Sequence, residues 1–213
     1  MQNDSVSSLD EPPSLARVAP AACRPANLAD LDELVRLERA AFPREDWFPR
    51  HQFRELLETP AQHTVLVLPG DSPPRLAGNI VLFWRKNSPT GRIYNLVVDP
   101  ALHKGGHGTR LLEAAEDAAR ARRCQRLVLE VRANNAPALA FYKRRGFRHF
   151  GTLAGYYPDG TAALRMEKFL HGAPCAQMEL PWSGAMNPPN VEIAPEAAST
   201  WRVDPERLPG VAR

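Results

Sequence analysis

Ile93-Tyr94-Asn95-Leu96-Val97-Val98-Asp99-Pro100 followed by Ala101-Leu102-His103-Lys104-Gly105-Gly106-His107-Gly108-Thr109-Arg110-Leu111-Leu112 is the stretch on which the fold turns. It reads as a buried strand, a stop, a glycine-rich loop and the start of a helix. Pro100 cannot donate to a sheet ladder and disfavours helix at Asp99, so the strand ends there. Three glycines in four positions ahead of a helical pattern leave backbone N–H groups free at a helix start. The dipole's positive end lies at the same place, which makes an anion site. No Gly-Lys-Ser/Thr follows, so this is not a Walker loop, and the spacing is not Gly-x-Gly-x-x-Gly.

Working outward, Cys23-Arg24-Pro25-Ala26 reads as a short first strand, and Asp30 precedes a helix over Leu31 to Phe42. Leu31, Leu34, Val35, Leu37, Ala41 and Phe42 approximate one helical face. Phe42-Pro43 ends it, and Pro49 to Leu57 is a second short helix. Strands are expected at Thr64 to Leu68, Leu76 to Arg85 and Arg92 to Asp99. An amphipathic helix is expected from Leu111 to Arg123, with Leu111, Leu112, Ala115, Ala118 and Ala119 toward the sheet. Leu127 to Arg132 is an apolar strand broken by one carboxylate, Glu130. Ala136 to Arg145 is a helix closed by Gly146 at its C′ position. Phe147 to Leu153 and Ala163 to Phe169 are the last strands, flanking Gly155-Tyr156-Tyr157-Pro158-Asp159-Gly160.

The 213 residues divide into a flexible arm over 1–22, a globular domain over 23–171, and a Pro-rich disordered tail or linker over 172–213. No stretch approaches the ~20 apolar residues of a membrane helix. The N-terminus has no basic and apolar secretory signal, so a cytoplasmic location is expected. Cys23, Cys124 and Cys175 are too widely spaced for a zinc site or disulfide framework. The net charge of +3 is too slight for a nucleic-acid face. His103 and His107 are four apart, but across a glycine loop rather than along a helix, so no metal is expected.

The central stretch resembles the acetyl-CoA site of the GCN5-related N-acetyltransferase (GNAT) family, whose pattern is Arg/Gln-x-x-Gly-x-Gly/Ala after a strand ending Val-x-Pro. His103-x-x-Gly106-x-Gly108 occupies that frame, with His103 where the family prefers Gln or Arg. The resemblance continues through Leu127 to Arg132, Asn135, Phe141-Tyr142 and Gly146-Phe147, and covers roughly 23–170. Within the family the chain looks most like the ribosomal-protein alanine N-acetyltransferases (RimI type) and other N-terminal acetyltransferases.

The resemblance implies an α/β fold: a mixed, twisted sheet of about six to seven strands, with splayed central parallel strands and about four helices. It implies acetyl-CoA as cosubstrate, its diphosphate on His103, Lys104, Gly105, Gly106, His107, Gly108 and Thr109. Leu96, Val97 and Val98 would hydrogen-bond the pantetheine arm like an added strand, with Asn135 on the same arm. Glu130 would be the general base, through water, and Tyr142, also at the cofactor, the general acid. Tyr156, Tyr157 and Phe42 would line the acceptor groove, although the Asp usual two residues past the hairpin Gly is Ala162 here. The expected acceptor is a protein or peptide α-amine, whose pKa of about 8 leaves far more free base at neutral pH than lysine's 10.4. A small amine such as an antibiotic or polyamine is the alternative, as is a non-catalytic acyl-CoA-binding module.

Overall fold

The computed structural model describes residues 22–170 apart from 61 and 73, so the expected arm (but for its last residue) and tail lie outside the described residues. Seven strands form one mixed sheet in the order β1-β2-β3-β4-β5-β7-β6. In chain order they are β1 (Arg24–Pro25), β2 (His63–Pro69), β3 (Leu76–Trp84), β4 (Thr90–Val98), β5 (Arg126–Arg132), β6 (Arg148–Leu153) and β7 (Ala163–Phe169). The helices are α1 (Leu31–Ala41), α2 (Arg50–Glu58), α3 (His107–Ala121) and α4 (Ala136–Arg144). This is the expected α/β architecture.

The sheet separates two apolar layers. On one face Leu34, Leu37, Phe48, Phe53 and Leu56 pack on Val65, Val67, Val81 and Val97. On the other, Leu111, Leu112, Ala115 and Ala119 of α3, with Tyr142 of α4, cover Ile80, Leu82, Ile93, Leu127 and Leu129. Each fully buried large apolar side chain contributes about 1.5–3 kcal/mol, and both layers meet along β4.

The one parallel pairing, β4 with β5, holds over only three rungs: Thr90 with Arg126, Gly91 with Leu127, and Arg92 with Val128. Close approach there needs a glycine, since a Cβ on Gly91 would stand 2.5 Å from the Trp84 ring and 2.9 Å from Leu127. Beyond Arg92 the two strands separate. β4 stays paired with β3 on its other edge, Leu96 opposite Ile80 and Val98 opposite Gly78. The splay expected from the resemblance is therefore present.

β4 also bulges. Val81 faces Asn95 while the next residue, Leu82, faces Ile93, so Tyr94 is the extra residue. A bulge sends two successive side chains to one side. Tyr94 and Asn95 accordingly both point toward α1, with Tyr94 against the Phe48 layer and Asn95 within reach of Glu38.

One helix start and one helix face differ from the sequence expectation. α3 starts at His107, four residues before Leu111, because Gly106 takes φ +76 and turns the chain directly into the helix. The buried face of α1 includes Glu38, whereas Ala41 is exposed.

Candidate active site

The splay of β4 from β5 leaves backbone groups of Leu96, Val97 and Val98 without a ladder on the β5 side. A peptide-like arm can add there as an extra strand. Below it lies the start of α3. Its N-cap, Gly106, offers no side chain to the helix, and the first turn carries no acidic residue. The N–H groups of His107, Gly108 and Thr109 thus have no intrahelical acceptor. A Cβ on Gly106 would meet nothing within 4 Å. An uncapped helix start opening onto free space fits a diphosphate. Lys104, with φ +74, and Gly105 are exposed beside it, and His103 Nε2 lies 3.3 Å from the Val98 carbonyl oxygen.

Tyr142 sits on α4 in the layer shared with α3, its ring 5.2 Å from Phe141 and 5.5 Å from Phe147. Burial, and then the neighbouring Tyr157, push its hydroxyl well above the usual phenol value. It is therefore protonated at any working pH and can act only as a donor, for instance to a sulfur on which negative charge develops, and not as a base. Asn135 is the N-cap of α4, its side chain accepting the Ala138 N–H at 3.1 Å. That cap occupies its oxygen and leaves the amide NH₂ for any other contact.

Glu130 lies diagonally across the opening from the last β4–β5 rung. Arg92 Nε donates to its Oε2 at 2.8 Å, and Arg165 Nε stands 3.6 Å from Oε1. Arg92 also donates to the Tyr156 hydroxyl at 3.1 Å, tying the β6–β7 loop to the apex of the splay. Two residues further along β5, on the same face, Arg132 stacks 3.9 Å over the Tyr157 ring. It pairs with Asp46 at 2.5 Å and Asp159 at 2.7 Å. Asp46 belongs to the α1–α2 loop and Asp159 to the β6–β7 loop, so one guanidinium holds both walls. Burial lifts the Tyr157 hydroxyl to about 12 and that of Tyr94 likewise to about 12. Phe42 is half-buried, and its carbonyl accepts the Trp47 indole N–H at 2.8 Å.

The structure thus gathers Glu130, Tyr142, Tyr156, Tyr157 and the glycine loop around the splay of β4 from β5. Sequence reasoning missed Arg92, Arg132, Arg165 and Glu38. The one available signal was charge at positions of apolar strands and of a helix face. No group of three or more His, Cys, Asp or Glu side chains able to hold a metal ion occurs among the described residues, nor does any helix there long and apolar enough to cross a membrane.

An uncapped helix start below a parallel splay, with a buried phenol on one side and a paired carboxylate on the other, is compatible with the acyl-CoA-dependent acyltransferase that the sequence resembles. Residues 31–147 match the acetyltransferase (GNAT) family, and the chain belongs to it. It is an acetyl-CoA-dependent acetyltransferase. It is 31% identical to an N-alpha-acetyltransferase of Sulfurisphaera tokodaii, over 67% of this chain and 89% of that protein. It is 30% identical to a putative [ribosomal protein bS18]-alanine N-acetyltransferase of Bacillus subtilis, over 68% of this chain and 93% of the other. Among solved structures it resembles the ribosomal-protein-S18-alanine N-acetyltransferase of Escherichia coli, with TM-score 0.61 and 25% identity, over 70% of this chain and 93% of that one.

Proposed function

We propose that the acceptor is the α-amine of a protein or peptide N-terminus. The observation that carries this reading is the acceptor face beside Glu130. α1 and α2 pack over β2, β3 and β4, and the two loops held by Arg132 stand on either side of the strand that follows. Two walls presenting Phe42, Tyr156 and Tyr157 suit an extended chain end better than a small cation, which would want an unpaired acidic pocket. The names of the relatives, both N-terminal acetyltransferases, support the same class.

In this reading acetyl-CoA lies with its diphosphate on Gly106 to Thr109 and its arm along Leu96 to Val98. It supplies the thioester. The free amine attacks the carbonyl carbon, and the C–S bond breaks as the C–N bond forms. Glu130 takes the amine's proton through a water, its carboxylate aimed by Arg92 and Arg165. Tyr142 gives its proton to the leaving sulfur. An α-amine suits a carboxylate base, because about a tenth of it is already unprotonated near pH 7.

The test is incubation of the full chain and acetyl-CoA with peptides of varied N-terminus, beside a panel of polyamines and aminoglycosides. Mass spectrometry should place one acetyl group on the peptide α-nitrogen and leave lysine side chains untouched. Turnover of the small amines alone would overturn the reading.

A further inference from the structure

Four carboxylates sit in or beside the core with cationic partners. Asp30 pairs with Arg24, Glu116 with Arg120 and Lys168, Glu167 with Arg126 and Arg148, and Glu130 with Arg92 and Arg165. Glu38 is the exception among the buried carboxylates of the described residues. It is 3% exposed in the last turns of α1, amid Leu34, Leu37 and Phe48, and has no ion-pair partner among the described residues. A buried carboxylate without a cation is costly, and a leucine would serve the layer better.

Its two oxygens instead face two N–H donors. Oε1 accepts the backbone N–H of Phe48 at 2.9 Å, and Oε2 accepts from Asn95 Nδ2 at 3.2 Å. Phe48 lies in the α1–α2 loop, the wall that carries Phe42 and Asp46. Its ring packs 4.8 Å from Phe53 and 5.4 Å from Tyr94. Asn95 lies on the unzipped half of β4, turned toward α1 by the bulge at Tyr94. Glu38 thus hydrogen-bonds at once to the loop of the proposed acceptor wall and to the strand proposed to seat the acyl arm.

We propose that Glu38 is a positioning residue whose ionised carboxylate fixes the α1–α2 wall against β4, so that acceptor binding depends on its charge. The inference rests on the acceptor groove proposed above. Protonation of Oε2 would set an O–H against the Asn95 NH₂, donor against donor, and remove the charge that strengthens the Phe48 bond. The charged or titratable groups around it are Asp46 in the loop and Tyr94 on β4, with Arg92 behind the Tyr94 ring. Burial, opposed by the Phe48 hydrogen bond and reinforced by Asp46, brings the carboxyl to about 7. The wall therefore loosens as pH falls through neutrality.

Glu38→Gln keeps the size and mimics the neutral state. In the full chain at pH 8 it should raise the peptide KM about tenfold, the worth of one charge-assisted hydrogen bond. The acetyl-CoA dissociation constant should be unchanged. The ratio of variant to wild-type KM should fall toward one by pH 6, where both carry a neutral group. Glu38→Leu separates positioning from folding: it should melt higher, having no buried charge, and yet raise KM. A Glu38→Leu chain that melts lower, or a KM ratio flat with pH, would overturn the proposal. Trp47 emission, taken as the difference from a Trp47→Phe chain, reads the wall without any acceptor. It should titrate near pH 7 in wild type and not in Glu38→Gln, and a flat wild-type titration overturns the proposal whatever the acceptor proves to be. If no peptide is acetylated but this titration is seen, the peptide reading fails and the role of Glu38 in the wall stands.

Discussion

Thr90 to Arg92 and Leu96 to Val98 are two ends of one strand with opposite fates. The first is zipped to β5 over three rungs, and the second has no β5 partner at all. Beyond the zip, the molecule offers backbone and little else to one side: free N–H groups at an uncapped helix and an unpaired strand edge. To the other side it offers a dense set of charges: Arg92, Glu130, Arg165, Arg132, Asp46 and Asp159. In the proposed reading the backbone donors would hold the cofactor, and the side-chain ion pairs would shape the acceptor side. The difference predicts that damage to each side separates cleanly in kinetics.

The largest effect should come from the chemistry where the sides meet. Tyr142→Phe keeps the ring packing on Phe141 and Phe147 and removes only the hydroxyl. kcat should fall on the order of 10²–10⁴-fold, with little change in either KM. Glu130→Gln should cost less, and its penalty should shrink as pH rises, because more amine then arrives already deprotonated. The Tyr142→Phe penalty should not shrink in that way. A pH–rate series on both variants checks this, and a Glu130→Gln chain running at the wild-type rate throughout would leave that carboxylate a mere partner of Arg92.

Next is the cofactor side. Gly106→Glu places a negative charge and a side chain at φ +76, beside the free N–H groups of α3. Acetyl-CoA binding should weaken by at least about a hundredfold by calorimetry, given an anion set against an anion and a left-handed backbone that a Cβ resists. Peptide binding measured without cofactor should not change. On the acceptor side the sign of the comparison reverses. Arg132→Ala breaks the link from Asp46 to Asp159 and bares Tyr157, so the peptide KM should rise roughly tenfold while acetyl-CoA affinity holds, as expected for one partly buried charge-assisted contact. Equal effects on both ligands would mean that Arg132 holds the fold rather than the groove.

A smaller effect concerns stability. The unfolded Glu38 carboxyl titrates near 4.5 and the folded one near 7, so the native state prefers the proton. That contribution is full below about pH 4.5 and is lost as pH rises through 7. Glu38→Gln should therefore gain on the order of 1–3 kcal/mol over wild type at pH 8 and almost nothing near pH 4, read by denaturant unfolding. Smallest of all, a chain trimmed to residues 23–171 should keep its acetyl-CoA affinity, since every group assigned above lies within it.

The sequence by itself carried the order of strands and helices almost residue for residue. Alternation, apolar runs, Asp99-Pro100 and Gly146 are local signals, and strands and helices answer to spacings of two to four residues. Through resemblance it also proposed the glycine loop, Glu130 and Tyr142 as site residues. Even so, α3 begins four residues before its apolar face does, because the backbone turn at Gly106 and not hydrophobic periodicity starts the helix. What only the tertiary structure decided is which charges meet. Arg132 finds Asp46 across 86 residues, and Arg92 finds Glu130 across 38. With 27 Lys and Arg and 24 Asp and Glu in the chain, no local pattern selects those pairs. Glu38 shows the same limit from the other direction. On a helical wheel it falls inside the apolar face of α1, four residues from Leu34 and seven from Leu31, so its burial was legible. How its oxygens are satisfied was not: the bulge at Tyr94 turns Asn95 toward it and the loop folds Phe48 over it, and both depend on contacts ten or more residues away.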